Sequence, residues 1–169
     1  MYTIRGTKKF LDRVGPTVTE PPDHTTVLGD WYANVLLWRP QVALFVNATT
    51  FLPVLMPLAP AKGVGTRFAA SMAVVMNRFG IDPRFVDAEV NEMTSTALAK
   101  TASRQVLGVM TEFAFMAEHT IKTGRSDPND LLGLSCWLAD TIVGPLAKVD
   151  HYSPVGALRR VVASALPDA

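Results

Sequence analysis

The 169-residue chain contains a single cysteine, Cys136. No internal disulfide can form, which is the expectation for a reducing compartment. Charge is scarce too: 18% of residues are charged, and 16 basic against 15 acidic side chains leave a net charge of +1. That balance excludes a dedicated phosphate track, so nucleic acid is not an expected partner. The small basic groups Arg5, Lys8, Lys9, Arg13 and Arg159-Arg160 do not change this. Disorder is excluded by the opposite feature, 49% hydrophobic residues and a mean hydropathy of +0.20. The length suits a single domain over residues 1–169.

Charge is missing altogether from Pro40 to Ala61, a run about as long as a membrane-spanning helix needs. Pro53, Pro57 and Pro60 argue against that use, because each removes a helical hydrogen bond that lipid cannot replace. Two short strands joined by a polar turn fit the run better. At the N-terminus Arg5, Lys8, Lys9 and Arg13 enclose no apolar stretch, so no signal peptide is read there. A cytoplasmic protein with no membrane partner is therefore expected. Asn47-Ala48-Thr49 matches a glycosylation sequon, read as chance without a secretory signal.

Periodicity supplies the architecture. Tyr2 to Arg5 alternates as a first strand, and Phe10-Leu11 suggest a helical turn. Gly15 to Gly29 reads as a loop. Trp31–Trp38, Gln41–Asn47 and Phe51–Leu58 read as three strands of an antiparallel meander. Val42 to Val46 is apolar on both faces and should be covered twice. Pro53 and Pro57 share one parity, which suits an edge strand. Beyond Pro60 the period becomes helical, with Gly63-Val64-Gly65-Thr66 marking the approach to a helix that Gly80 stops. Asp82-Pro83, Ser103, Asp127-Pro128 and Ser153-Pro154 mark four further helix starts, and Gly144-Pro145 ends the helix opened at Asp127. Leu131, Leu134, Trp137, Leu138 and Ile142 are its expected inward residues. Thr94–Lys100 adds a β-rich segment. The expected fold class is α+β: an antiparallel β-meander, an N-terminal strand and one later strand, packed with four to five α-helices.

Catalytic signatures are largely lacking. His24, His119 and His151 have no His or Cys at ligand spacing, so no metal is expected. Gly63 to Thr66 lacks the lysine of a phosphate loop, and no cofactor is implied. Gly133-Leu134-Ser135-Cys136-Trp137 begins like a nucleophile elbow, but Trp137 stands where glycine is required. Cys136 reads as an inert buried thiol. Trp31, Tyr32 and Trp38 could stack on bases, but core or hairpin packing accounts for each of them better.

What the chain does carry is a sorted helix over residues 103–122. At about 100° per residue, Val106, Leu107, Val109, Met110, Phe113, Ala114, Ala117 and Ile121 share one arc. Arg104, Gly108, Thr111, Glu112, Phe115, His119 and Lys122 share the other. Lys100 and Thr101 extend this stripe at its start. A solvated polar face and a ligand or partner groove both fit it. Gly108 would allow either a close-crossing element or an approaching anion.

The run Lys100-Thr101-Ala102-Ser103-Arg104-Gln105-Val106-Leu107-Gly108-Val109-Met110-Thr111-Glu112-Phe113 resembles the motif of an uncharacterised family of small bacterial proteins, a domain of unknown function. Ile4-Arg5 with Thr7-Lys8-Lys9, Leu28 to Ala33, Leu44 to Asn47 with Thr50, and Leu138 to Thr141 with Pro145-Leu146 extend the resemblance over most of the chain. Lys100, Thr101, Arg104, Gly108 and Glu112 match the motif. Ser103, Gln105 and Thr111 depart from it, standing where the family tends to have Asn, Ser and Asn. The resemblance implies a bacterial cytosolic domain and points to the same helix, but brings no activity or cofactor.

Three functions are compatible with these features. The first is a non-catalytic binding or regulatory module, taking a protein or small anionic ligand through Lys100, Thr101, Arg104, Gly108, Glu112, Phe115 and His119. The second is an enzyme on a phosphate-containing or nucleic-acid substrate, with Lys100 and Arg104 holding the anion and Glu112 or His119 moving protons. The third is a homo-oligomer that self-associates through Trp31, Trp38 and the proline-bearing strand.

Overall fold

The computed structural model describes residues 1–148 and 152–167, so His151 lies outside the described residues. Five strands form one mixed sheet: β1 (Tyr2–Gly6), β2 (Trp31–Leu36), β3 (Val42–Asn47), β4 (Pro53–Pro57) and β5 (Thr96–Lys100), in the order β4-β3-β2-β1-β5. β2, β3 and β4 are the expected antiparallel meander. β1 pairs in parallel with both β2 and β5, so the first and last strands in sequence lie side by side.

The helices are α1 (Lys8–Val14), α2 (Val64–Arg78), α3 (Pro83–Glu92), α4 (Arg104–Lys122), α5 (Leu131–Ala139), α6 (Gly144–Ala147) and α7 (Pro154–Ala165). The five longer ones are those expected, α1 contains the helical turn expected at Phe10-Leu11, and α6 is a short addition. Their starts follow cap chemistry. Asp82 caps α3, Ser103 caps α4 and Ser153 caps α7 through side-chain oxygens that accept N–H groups of the first turn.

Some boundaries differ from the sequence expectation. The Asp127 carboxylate accepts the Asn129 N–H in a preceding turn, and Asp130 is the true cap of α5. Gly144-Pro145 opens α6 instead of ending α5. Ile142 is therefore outside α5 and 73% exposed, and Trp137 on its outer side is 43% exposed. Leu134 and Leu138 are buried as expected. β2 stops at Leu36, two residues before Trp38. β4 begins at Pro53, because Phe51 adopts a left-handed φ of 59° within the preceding connection.

The sheet separates two apolar cores. Ala43 and Phe45 of β3 join Trp31, Phe68, Met72, Phe85 and Phe10 on the side of α1, α2 and α3. Val42, Leu44 and Val46 join Val109, Met110, Phe113 and Leu138 on the side of α4. The charge-free stretch is thus the doubly buried β3 and its edge neighbour β4. Among the described residues no helix is long and apolar enough to cross a membrane.

The β4 edge is sealed by side chain and sequence together. Pro53 and Pro57 have no N–H to offer. The outward N–H of Leu55, between them, donates to Ser135 Oγ at 2.8 Å, and Ser135 donates onward to Leu131 O at 2.7 Å. Ser135 is fully buried in α5.

Asn47 organises the turn after β3. Its fully buried amide donates to Leu28 O and Asp30 O and accepts from the Thr49 N–H, the Thr50 N–H and the Thr50 hydroxyl. The sequon asparagine is therefore a core residue. Glu89, 2% exposed on α3, plays a similar part for the long loop before β2. Its carboxylate accepts the N–H groups of Val27 and Leu28 at 2.9 and 2.8 Å. Burial raises the Glu89 carboxyl above its ordinary range, an effect opposed by those two donors and by nearby His24.

Two stability measurements follow from this wiring. Ser135→Ala strands the Leu55 N–H and is expected to cost about 1–3 kcal/mol in urea unfolding. The Glu89 effect has the opposite pH sense to an ordinary ion-paired carboxylate. With the folded-state value above the unfolded one, the contribution is full below about pH 4 and is lost as pH rises through the folded-state value. The stability of the wild type minus that of Glu89→Gln is expected to decline over that window and then level off. A difference that rises with pH would contradict the assignment.

Candidate functional site

The helix singled out by angle, α4, is built as expected. Ser103 Oγ accepts the Val106 N–H at 3.2 Å, and the Ser103 N–H donates to Tyr32 Oη at 3.1 Å, which fixes the helix start against β2. Val106, Val109, Met110, Phe113 and Ala117 are buried against β2 and β3, and Leu107, Ala114 and Ile121 pack around them. Arg104, Gly108, Thr111, Glu112, Phe115, His119 and Lys122 are all exposed. The sorted stripe is real, and it faces away from the sheet.

The candidate residues fall into two places. Lys100 is the last residue of β5 and is register-paired with Gly6 of β1. Beyond these strand ends the chain leaves β1 into α1 on one face of the sheet, and leaves β5 into α4 on the other. Helices departing to opposite faces from neighbouring parallel strands open a crevice at the carboxyl ends, the usual place for a ligand in such sheets. A cleft of 620 Å³ lies there, with Lys8, Leu11, Asp12, Pro16, Lys100 and Thr101 in its lining. Gly6 also lines it, and a Cβ at Gly6 would sit 2.7 Å from Phe10 and 2.8 Å from Leu11, so α1 packs directly on the strand end.

Charge in the cleft is uneven. Lys8 Nζ is 2.7 Å from Asp12 Oδ2, one turn along α1. Lys100 takes part in no ion pair among the described residues. It lines the cleft together with Thr101, and both side chains carry hydrogen-bond donors. Lys8 was legible in the sequence only as one member of a basic cluster. Nothing local connects it to Lys100; the parallel pairing of β1 with β5 does.

The other candidates stay on the outer face of α4. Phe115, 69% exposed, stacks on His119 with ring centroids 6.1 Å apart and planes at 18°. Glu112 lies two turns before His119, roughly 10 Å along the axis, and no hydrogen bond joins them among the described residues. An acid–base pair is not assembled there. Among the described residues, nothing beyond Gly108's own stretch of helix lies within 4 Å of where a Cβ would stand, so no other described element crosses it.

The self-association surface expected around the tryptophans is not available in that form. Trp31 is 1% exposed in the first core, and α5 covers the β4 edge. Trp38 is half-buried, with its indole N–H 3.4 Å from Glu118 Oε1. It lines a second cleft, of 640 Å³, with Pro40, Pro57, Glu118, Lys122 and Pro128. Sequence reasoning missed this cleft because the β2–β3 connection, β4, α4 and the turn before α5 supply its walls from separate segments. Cys136 is half-buried, and burial raises its thiol pKa, which disfavours the nucleophilic thiolate. Among the described residues no three His, Cys, Asp or Glu side chains cluster as metal ligands would.

Gly108 costs the helix stability without, among the described residues, making room for another element. Gly108→Ala is expected to raise stability by about 0.5–1 kcal/mol in dilute solution. Thermal unfolding checks this, and a loss of stability would mean that an internal contact does need the glycine.

Comparison with known proteins bears on family alone. Neither the curated proteins nor the solved structures contain a match to this chain. A family model described as a domain of unknown function, DUF6933, matches residues 3–155, a span that includes both clefts and all of α4, and the chain belongs to that family.

Proposed function

We infer that this domain is a non-catalytic binding module, and that the cleft beyond the ends of β1 and β5 takes a small anionic ligand. The observation that carries this reading is the meeting of Lys100 and Thr101 with Lys8 in one 620 Å³ crevice. That volume lies in the range of small-molecule sites. Two lysines and one aspartate are among the crevice's lining residues, and the Asp12 carboxylate is already engaged by Lys8. Lys100 is left to pair with a phosphate or carboxylate group, with the Thr101 hydroxyl as a second donor. The non-catalytic part of the reading rests on α4, where Glu112 and His119 stand apart on an exposed face. The stripe from Arg104 to His119 then serves as a partner surface, separate from the ligand cleft.

Isothermal titration with inorganic phosphate and small mono- and dicarboxylates tests the cleft. Saturable binding is expected, weakening with added salt. Lys100→Ala is expected to reduce affinity at least about tenfold, with the circular dichroism spectrum unchanged because Lys100 is exposed. His119→Ala is expected to bind as the wild type does. If no probe saturates, or if Lys100→Ala binds as well as the wild type, the reading fails.

A further inference from the structure

Gly108 is an interior helix residue for which the fold has no use. A glycine at such a position is unfavourable relative to alanine. Close approach of another backbone is one use for such a glycine, yet among the described residues nothing beyond its own stretch of helix comes within 4 Å of its absent Cβ. The room it leaves is open to the outside.

The charges on either side make a pattern around it. Arg104 lies four residues before Gly108 and Glu112 four residues after, so the three form one i, i+4 ridge on the exposed face of α4. Neither Arg104 nor Glu112 enters an ion pair among the described residues. About 12 Å of helix separates them, too far for them to satisfy each other. Opposite charges at equal distances from a small residue are self-complementary under a two-fold rotation.

We propose that α4 is the two-fold interface of a homodimer, in which it crosses its copy antiparallel at Gly108. This goes beyond the ligand reading and does not depend on it. With the axis through Gly108, Arg104 meets the partner's Glu112 and Glu112 meets the partner's Arg104. Ridges of the i, i+4 type pack into each other at a crossing angle near −50°, which sets the two Arg104–Gly108–Glu112 ridges alongside each other in opposite order. Phe115 is on the same stripe, seven residues from the axis. At 69% exposed it carries the largest apolar surface of this face, and it would be covered by the start of the opposing α4. His119 and Lys122 lie eleven and fourteen residues from the axis, where helices inclined at that angle have diverged, so their positive charges do not oppose the contact. A partner of unrelated sequence would have to supply the same spacing with the signs reversed. A second copy supplies it by symmetry.

Sedimentation equilibrium and light scattering over a concentration series provide the test. The wild type is expected to be a dimer. Arg104→Glu and Glu112→Arg, made singly, each create two like-charge contacts and are expected to raise the dimer dissociation constant at least about tenfold. The double swap Arg104→Glu/Glu112→Arg is expected to restore dimerisation, an outcome that a merely structural role for either residue would not produce. Gly108→Leu is expected to give a folded monomer, with its fold checked by circular dichroism. Gly108→Cys in a Cys136→Ser background is expected to form an intermolecular disulfide on mild oxidation. A wild type that stays monomeric throughout would overturn the proposal. So would a dimer unmoved by the single reversals and Gly108→Leu, or a double swap no better than the singles.

Discussion

Val42, Leu44 and Val46 point to one side of β3, Ala43 and Phe45 to the other, and all are buried. A strand of this kind cannot lie on the surface of a two-layer fold. Each of its larger side chains gains about 1.5–3 kcal/mol on burial, and a whole domain is stable by only about 5–15 kcal/mol. Leaving either face wet would consume a large part of that margin. The sheet must therefore be covered twice, with α1, α2 and α3 on one side and α4 on the other. α5 and α7 contribute to both cores: Ala139 and Leu158 belong to the first, Leu134, Leu138 and Ala157 to the second. Ser135 then becomes necessary, because a helix laid against an edge strand would otherwise bury a free N–H.

The same demand for two covers shapes the candidate cleft. α1 follows β1 onto the first face, and α4 follows β5 onto the second. Because β1 and β5 are neighbours and parallel, the chain departs in opposite directions from adjacent strand ends. Lys8 and Lys100 are brought together by that divergence and by no local feature of their own segments. Arg5 reinforces the junction, with Nε 2.7 Å from Asp30 Oδ2 and a guanidinium nitrogen 3.4 Å from Lys100 O.

Much of this was legible from residue order. Alternation and the parity of Pro53 and Pro57 identified a meander with β4 at its edge, and cap residues placed the starts of α3, α4 and α7. The angular sorting of α4 was right residue by residue. These features are local, because period and cap chemistry act within one element. The parallel placement of β1 was not legible, since alternation shows which face of a strand is buried but not which strand lies beside it. Asp127 and Asp130 illustrate a finer limit. Both are good caps, and the choice between them depends on where α5 must sit to bring Ser135 to Leu55. Glu89 gave no signal at all, for its role needs Val27 and Leu28 to be folded against α3.

The polar positions of α4 divide along the same line. Ser103 caps the helix through its side-chain oxygen. The Thr111 hydroxyl donates to Leu107 O at 3.0 Å, a bond within its own helix. Both serve the local needs of α4. Five other residues are placed differently: Lys100 and Thr101 line the cleft, while Arg104, Gly108 and Glu112 form the open ridge. No hydrogen bond within α4 needs their side chains, and the buried side of the helix holds it to the sheet without them. Any role for those five residues therefore lies outside the packing of the helix that carries most of them.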